Sequence, residues 1–509
     1  MARILGILFF LGLLSTQLLA QDTAPVMEPA EEKPAFELPD IVILGVDQRD
    51  DNTLIKEVLQ LQQTDLTQKK ENLDYQKALP TYEPLGFSAF PEADHDFYRL
   101  AADFSSGSYD NAALSGSLVW PAGDWLLKGR LLQHMRGDHV SGGNASRFLS
   151  QFSGQSADLK VHTRYHGMQF GLPWNGGRSF TNVWLLGASQ TLFDVDLSTR
   201  LLRAQDAGGQ YHRIEIEPDA ALQWGAYPLR LHGYLGVQPG DASQFWINAV
   251  TSLHQAANLN IEGQVSYLSY EGGGAYISRV LPKVGLLFPQ GSEEQWELWA
   301  GQSMTQVDEE RMLLTIPYVE LNRFLQPEWV DFELMGRYRM FDQSGQHGSM
   351  ALFFRNMQNY VAYADSDGDG LVEPSNMGAR SLSGFEGEWQ WNLKPAITLV
   401  TKARGVIQSS AITLEAPFTL QGSLYYALSD QTELVLEQRY MSERLSNAGG
   451  GNLPGVGLLS LHIASVLKDN IIGYVDATNL LGSSYQWVAL APEPGRAVHL
   501  GLKIQLNPN

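Results

Sequence analysis

Cysteine is absent from all 509 residues. Disulfides, thiolate metal sites and a lipid-modified N-terminal cysteine are excluded with it. Beyond the first twenty residues there is also no run approaching the ~20 apolar residues that a membrane-spanning helix requires. Cations are scarce: 35 Lys and Arg stand against 56 Asp and Glu, a formal net charge of −21. Binding a phosphate backbone takes clustered Lys and Arg, so this balance excludes nucleic acid as a partner. It leaves two readings, acidic loops and lumen bathed in solvent, or a lumen that draws in cationic solutes.

What is present begins with an export pattern. Arg3, an apolar core from Ile4 to Leu14 and small residues up to Ala20 predict a secretory signal over residues 1–20. Residues 21–94 read as an irregular periplasmic arm. Its first part, PVMEPAEEKPAFELPD, is too acidic and proline-rich to pack a core. Within Asp51–Leu79, Leu54, Val58 and Leu61 keep helical spacing and predict a short helix, after which Pro80, Pro84 and Pro91 break regular structure.

From residue 95 to 509 the period changes to two. In the last segment, RAVHLGLKIQL, Val498, Leu500, Leu502, Ile504 and Leu506 share one face, and His499, Gly501, Lys503 and Gln505 the other. In Trp125–Arg136, Trp125, Leu127, Leu131 and Met135 oppose Lys128, Arg130, His134 and Arg136. In Val330–Phe341, Val330, Phe332, Leu334, Tyr338 and Met340 oppose Asp331, Glu333, Arg337 and Arg339. So many charges cannot all enter a dry core. A solvated antiparallel sheet would accept them, but the alternation recurs down the chain behind an export signal. The fold expected is all-β, a transmembrane antiparallel β-barrel of about 20–22 strands with lipid outside and water inside. At that width side chains do not fill the interior, so the lumen is open or something plugs it. Trp120, Trp125, Trp246, Trp296, Trp299, Trp329, Tyr360, Trp389, Trp391 and Trp487 recur near strand ends, where interfacial girdles would place them.

NRFLQPEWVDFELMGRYRMF, with Asn322, Leu325, Pro327 and Glu328, the SLSGFEGEWQW strand, and the closing YVDATNLLGSSYQWVALAPEPGRAVHLGLKIQL, with Asn479, Leu480, Tyr485, Gly495 and Arg496, resemble the barrel of TonB-dependent receptors. The resemblance implies an outer-membrane location, with outer-membrane lipid and the barrel assembly machinery as partners. His499, Gly501, Ile504 and Leu506 match the spacing of the C-terminal signal that machinery reads, although Asn507–Asn509 follow where many such barrels end on an aromatic residue. Ile41, Val42, Ile43 and Leu44 resemble the TonB box, an extended segment that adds a strand to the periplasmic coupling protein TonB. A stray strand docking elsewhere fits those four residues equally. Only about seventy residues separate the signal from the barrel, without that family's globular plug. The expectation is therefore a plugless barrel whose lumen is open, or is filled in part by the arm or by a separate plug or lid protein.

One loop carries a candidate metal site. In ADSDGDGLVEP, Asp365, Asp367, Asp369 and Glu373 offer hard oxygens at calcium-loop spacing around Gly370. Asn376 stands where such a loop places its bidentate glutamate, and a solvated acidic hairpin is the other reading. No catalytic constellation stands out: the histidines lack metal-ligand spacing and no nucleophile elbow or phosphate loop is present. The expected function is solute passage or uptake by a non-enzyme, with Lys128, Arg130, Glu333, Arg337 and Arg339 setting lumen electrostatics. The alternative is a closed barrel serving as a surface platform for a partner protein or glycan. If the facing is right, Leu334→Arg impairs assembly far more than Glu333→Arg.

Overall fold

A computed structural model describes residues 99–506 apart from intervals between strands, the longest being 306–324. The strands, in order, are β1 (Arg99–Gly107), β2 (Asn111–Ala122), β3 (Trp125–Arg136), β4 (Ala145–Gln155), β5 (Leu159–Gly171), β6 (Arg178–Leu192), β7 (Val195–Asp206) and β8 (Gln210–Trp224). There follow β9 (Tyr227–Gln238), β10 (Ala242–Ala256), β11 (Leu259–Gly272), β12 (Ala275–Gln290), β13 (Glu294–Thr305), β14 (Glu328–Phe341), β15 (His347–Gln358), β16 (Tyr360–Ala364) and β17 (Glu373–Met377). The last are β18 (Arg380–Lys394), β19 (Ile397–Gln408), β20 (Phe418–Ser429), β21 (Thr432–Met441), β22 (Arg444–Leu445), β23 (Asn452–Leu453), β24 (Val456–Lys468), β25 (Ile471–Thr478) and β26 (Ala497–Leu506).

Twenty-two of these form one sheet, in which each strand pairs antiparallel with the next in the chain. The sheet closes where β26 pairs with β1, from Leu100 opposite Leu506 to Gly107 opposite His499. Closure leaves no unpaired edge to expose in lipid. The pairs β16–β17 and β22–β23 are small separate hairpins.

The two rims differ. One carries only connections of two to five residues, such as Gly123–Asp124 and 395–396, and it is also where β1 begins and β26 ends. The other carries 306–327, 359–379, 409–417, 442–455 and 479–496. Short turns mark the periplasmic end of an outer-membrane barrel and long loops its extracellular end. The tightest turn on the long-loop rim is Gly273–Gly274, with φ of 58° and 79°. Both central residues are left-handed, as the turn geometry that matches strand twist requires, and glycine adopts it without strain.

Outward positions carry the lipid-facing surface: Leu131, Met135, Leu186, Phe332, Leu334, Leu352 and Ile407 are all exposed. Aromatic rings on this face touch across strands in two belts. Trp296, Tyr338, Trp389 and Trp391 run along the short-turn end, with centroids 4.7–6.4 Å apart. Towards the other end lie Phe148–Tyr165–Trp184, Phe245–Tyr267, Phe332–Phe354 and Phe385–Phe418–Tyr440. Rings at both interfaces hold a barrel at one depth in the bilayer.

Four aromatics depart from the girdle expected from sequence. Trp246, Trp299, Trp329 and Tyr360 instead pack into two apolar clusters, Tyr234, Trp246, Leu268, Leu281 and Trp329 in one, and Val330, Met335, Phe353, Met357, Tyr360 and Leu382, with Trp299 against them, in the other. Position near a strand end does not fix the face; register does. Val330 is likewise corrected: it is only 2% exposed and packs inside. A bulge between Val330 and Phe332 inserts one residue, so the alternation valid from Phe332 onward is out of phase before it. Trp487 lies outside the described residues.

Candidate functional site

The inner wall is built row by row from cross-strand register. One row runs Lys283, Gly301, Glu333, Arg355. The Lys283 Nζ and Arg355 Nε each donate to Glu333, both at 2.5 Å, and Glu333 is 2% exposed. Lys283 reaches across Gly301, where a Cβ would lie 2.4 Å from the Pro282 carbonyl oxygen and where φ is +144°. A side chain at that position would both strain the backbone and obstruct the pair. Two rows below, Glu297 lies opposite Arg337. Its carboxylate bridges Arg337 at 3.5 Å and Arg339 at 3.0 Å and accepts from Trp299 Nε1 at 3.1 Å. On this wall cations and carboxylates alternate and neutralise one another, as charges removed from bulk water must.

Ordered loop segments pack at the long-loop rim. In β16, Tyr360, Val361, Ala362 and Tyr363 are at most 2% exposed, so this hairpin packs rather than projecting into solvent. Glu415 anchors it: the Tyr360 hydroxyl donates to its Oε2 at 2.5 Å, Gln408 donates at 3.1 Å and Arg404 at 2.9 Å. Glu328 accepts from the Val361 backbone N–H. Asn376 donates to the Gln326 and Asn359 carbonyls and accepts from the Gln326 N–H. Nearby, Arg444 donates to the Gln486 carbonyl, and burial pushes its guanidinium down to about 10. Glu493, paired with Arg136 at 3.2 Å, is pushed up by burial, with Arg136 pulling the other way.

The closing seam is the third ordered patch. Asn111 bridges two histidines, its amide nitrogen 2.7 Å from His499 Nε2 and its oxygen 2.6 Å from His134 Nε2. Tyr474 donates to Asp103 at 3.0 Å, and His462 Nδ1 lies 2.5 Å from Asp476. Backbone and side chain of Ser108 bond Val498, and the Tyr109 hydroxyl donates to the Arg496 carbonyl. The first and last strands are thus tied by side chains as well as by the ladder.

Lys128 and Arg130 face inward on β3, opposite Ser153 and Gln151 of β4. Glu333, Arg337 and Arg339 face inward on β14, within the paired network rather than as separate charges. His499 sits in the seam, and Gly501 lies opposite Tyr474, whose ring covers it. Ile504 pairs with Ala102 and Leu506 with Leu100. Ile41, Val42, Ile43 and Leu44 lie outside the described residues, as do Asp365, Asp367 and Asp369. Of that loop Glu373 is described; it opens β17 opposite Ala364 and is 7% exposed. Among the described residues no three His, Asp or Glu side chains are grouped as metal ligands. Sequence reasoning did not find Lys283, Arg355, Arg404 or Glu415, whose partners are far away in the chain.

No protein-family model matches the chain, and no curated protein matches it in sequence. Its fold is nonetheless that of TonB-dependent outer-membrane receptors. The FrpB iron transporter of Neisseria meningitidis superposes with a TM-score of 0.58 at 11% identity, over 81% of this chain and 82% of that one. The ferric-catecholate import receptor Fiu of E. coli K12 gives 0.60 at 11%, over 81% and 82%. The siderophore receptor PirA of Acinetobacter baumannii gives 0.59 at 9%, over 82% and 81%. The likeness lies in the closed outer-membrane barrel.

Proposed function

We propose that the chain provides a passage for solute across the bacterial outer membrane. The observation that carries this reading is the closed barrel of 22 strands with charged rows on its inner wall. A ring of that many strands is wider than inward side chains can fill. Lipid-facing leucines and phenylalanines hold the barrel in place, while the inner charges act on what passes. The solved structures of similar fold include an iron transporter and a ferric-catecholate import receptor, which favours uptake over a purely mechanical role. In this reading Lys128, Arg130, Glu333, Arg337 and Arg339 belong to the field the solute meets, and Ile41–Leu44 is the segment that would add a strand to TonB.

The test is single-channel conductance of the purified full-length protein in a planar bilayer, beside a variant lacking residues 21–94. Steady conductance from the full-length chain is the expected result. Current only from the shortened variant would mean that the arm closes the lumen. Silence from both, with folding confirmed, overturns passage and favours a closed surface platform.

A further inference from the structure

The lumen face carries an apolar patch where a water-filled channel would favour polar side chains. Met335 of β14, Ala351, Phe353 and Met357 of β15, Leu382 of β18 and Val406 of β19 are each no more than 5% exposed and form one cluster. They share a face with Glu333, Arg337 and Arg355, as the two-residue period and the register require. Their alternating neighbours Leu334, Leu352, Phe354, Phe385 and Ile407 are the ones exposed to lipid. An apolar surface of this extent does not stand bare in water.

Part of the cover comes from the wall itself, where the Arg355 guanidinium lies 4.8 Å from the centre of the Phe353 ring. The rest includes β16, whose Tyr360 and Ala362 belong to the same cluster at 0% and 2% exposure. This strand therefore lies inside the ring, against the lumen wall of β14, β15, β18 and β19. Directly after β15, Asn359 takes a left-handed conformation with φ of 52°, which turns the chain back over the wall. From there β16 pairs only with β17 and joins no barrel strand. Glu415 fixes its place, since the carboxylate that accepts from the Tyr360 hydroxyl is itself held by Arg404 and Gln408, both inward on β19.

The far face of β16 is also covered. Alternation puts Val361 and Tyr363 opposite to Tyr360 and Ala362, and they are 0% and 1% exposed. A strand buried on both faces has chain on both sides of it. The 22 strands of the sheet, spaced by about 4.8 Å and tilted by about 40°, enclose a ring about 44 Å across at the backbone. A layer packed on the wall takes up about 10 Å of that width, and the layer over its far face about 10 Å more. The intrusion thus narrows the lumen from one side without sealing it.

We propose that the β16–β17 hairpin is a built-in constriction, folded into the extracellular half of the lumen, that limits the size of the solute. With side chains on the far wall counted, the opening left is on the order of 15 Å, wide enough for small hydrophilic molecules and too narrow for a folded domain about 30 Å across. The size limit rests on the passage proposed above, whereas the place of the hairpin inside the ring does not depend on conduction.

The experiment replaces residues 358–379 by a two-residue Asn-Gly turn, which the Met357–Arg380 pairing accommodates. In the otherwise cysteine-free chain, Val406→Cys reports on the covered wall. It should resist a water-soluble maleimide in the folded parent and react once the hairpin is gone. In planar bilayers the excised barrel should conduct about twofold more or better, because current follows the open cross-section of the ring. It should also admit larger polyethylene glycols than the parent does. Should excision prevent folding, Tyr360→Ala combined with Ala362→Asp serves instead with the same expected direction, since it strips the ring and sets a charge against the apolar wall. Equal reactivity of the cysteine with and without the hairpin, or an unchanged conductance and polymer limit in a conducting barrel, overturns the proposal. Exposure of the cysteine on excision with no current from either chain would uphold the intrusion and refute passage.

Discussion

Leu334→Arg should abolish most of the folded barrel, whereas Lys128→Ser should leave it intact. Leu334 lies near the middle of β14 on the outward face and is 44% exposed. Arginine at the bilayer midplane costs about 2–4 kcal/mol. Set against a typical folding free energy of about 5–15 kcal/mol, that is enough to divert much of the chain during assembly. Lys128 faces the lumen opposite Ser153, and among the described residues no carboxylate pairs with it, so its removal leaves none of them without a partner. The measurement is the fraction of heat-modifiable, protease-resistant barrel in the membrane fraction. Alternation alone suggests Glu333→Arg as the tolerated control, but the ion pairs argue against it. Glu333 neutralises Lys283 and Arg355, and a third cation there would add like-charge repulsion in a buried site. Loss of barrel from Glu333→Arg would therefore not contradict the facing, whereas loss from Lys128→Ser would.

The second large effect is expected at Gly501. A Cβ there would lie 2.2 Å from Cζ of Tyr474, whose ring covers the glycine from the adjacent strand. Gly501→Val should cost about 1–3 kcal/mol or more in overpacking and displace the ring from Asp103. Because this happens in the strand that closes the barrel, the loss should appear as unfolded chain rather than as a softer native state. Tyr474→Ala in the same chain should recover part of the folded fraction. That recovery separates two roles for Gly501, since a signal read purely as sequence by the assembly machinery would gain nothing from a smaller residue at 474. Urea unfolding midpoints of the single and double variants give the coupling.

Strand periodicity is the part of the fold that was open to reading. Trp125–Arg136 and Phe332–Phe341 alternate cleanly because lipid and water flank each strand, and the two-residue period then fixes both faces at once. The barrel class and a strand number at the upper end of the expected 20–22 follow from repeating that pattern. What escaped the reading depends on contacts between distant strands. A single inserted residue before Phe332 turned Val330 inward, and no local composition marks it. Trp246 and Trp299 look like girdle residues until register sets them opposite inward neighbours. Lys283, Glu333 and Arg355 come from three strands, so their pairing has no sequence motif.

The most direct test of the account is thiol labelling, for which the cysteine-free chain is already suited. Single cysteines placed at Lys128, Arg130, Leu131 and Met135 of β3 are exposed to a membrane-impermeant maleimide in intact outer membranes. The predicted result is modification at 128 and 130, with 131 and 135 protected until detergent strips the lipid. Equal labelling of all four in membranes would contradict a lipid-embedded barrel with a watery lumen.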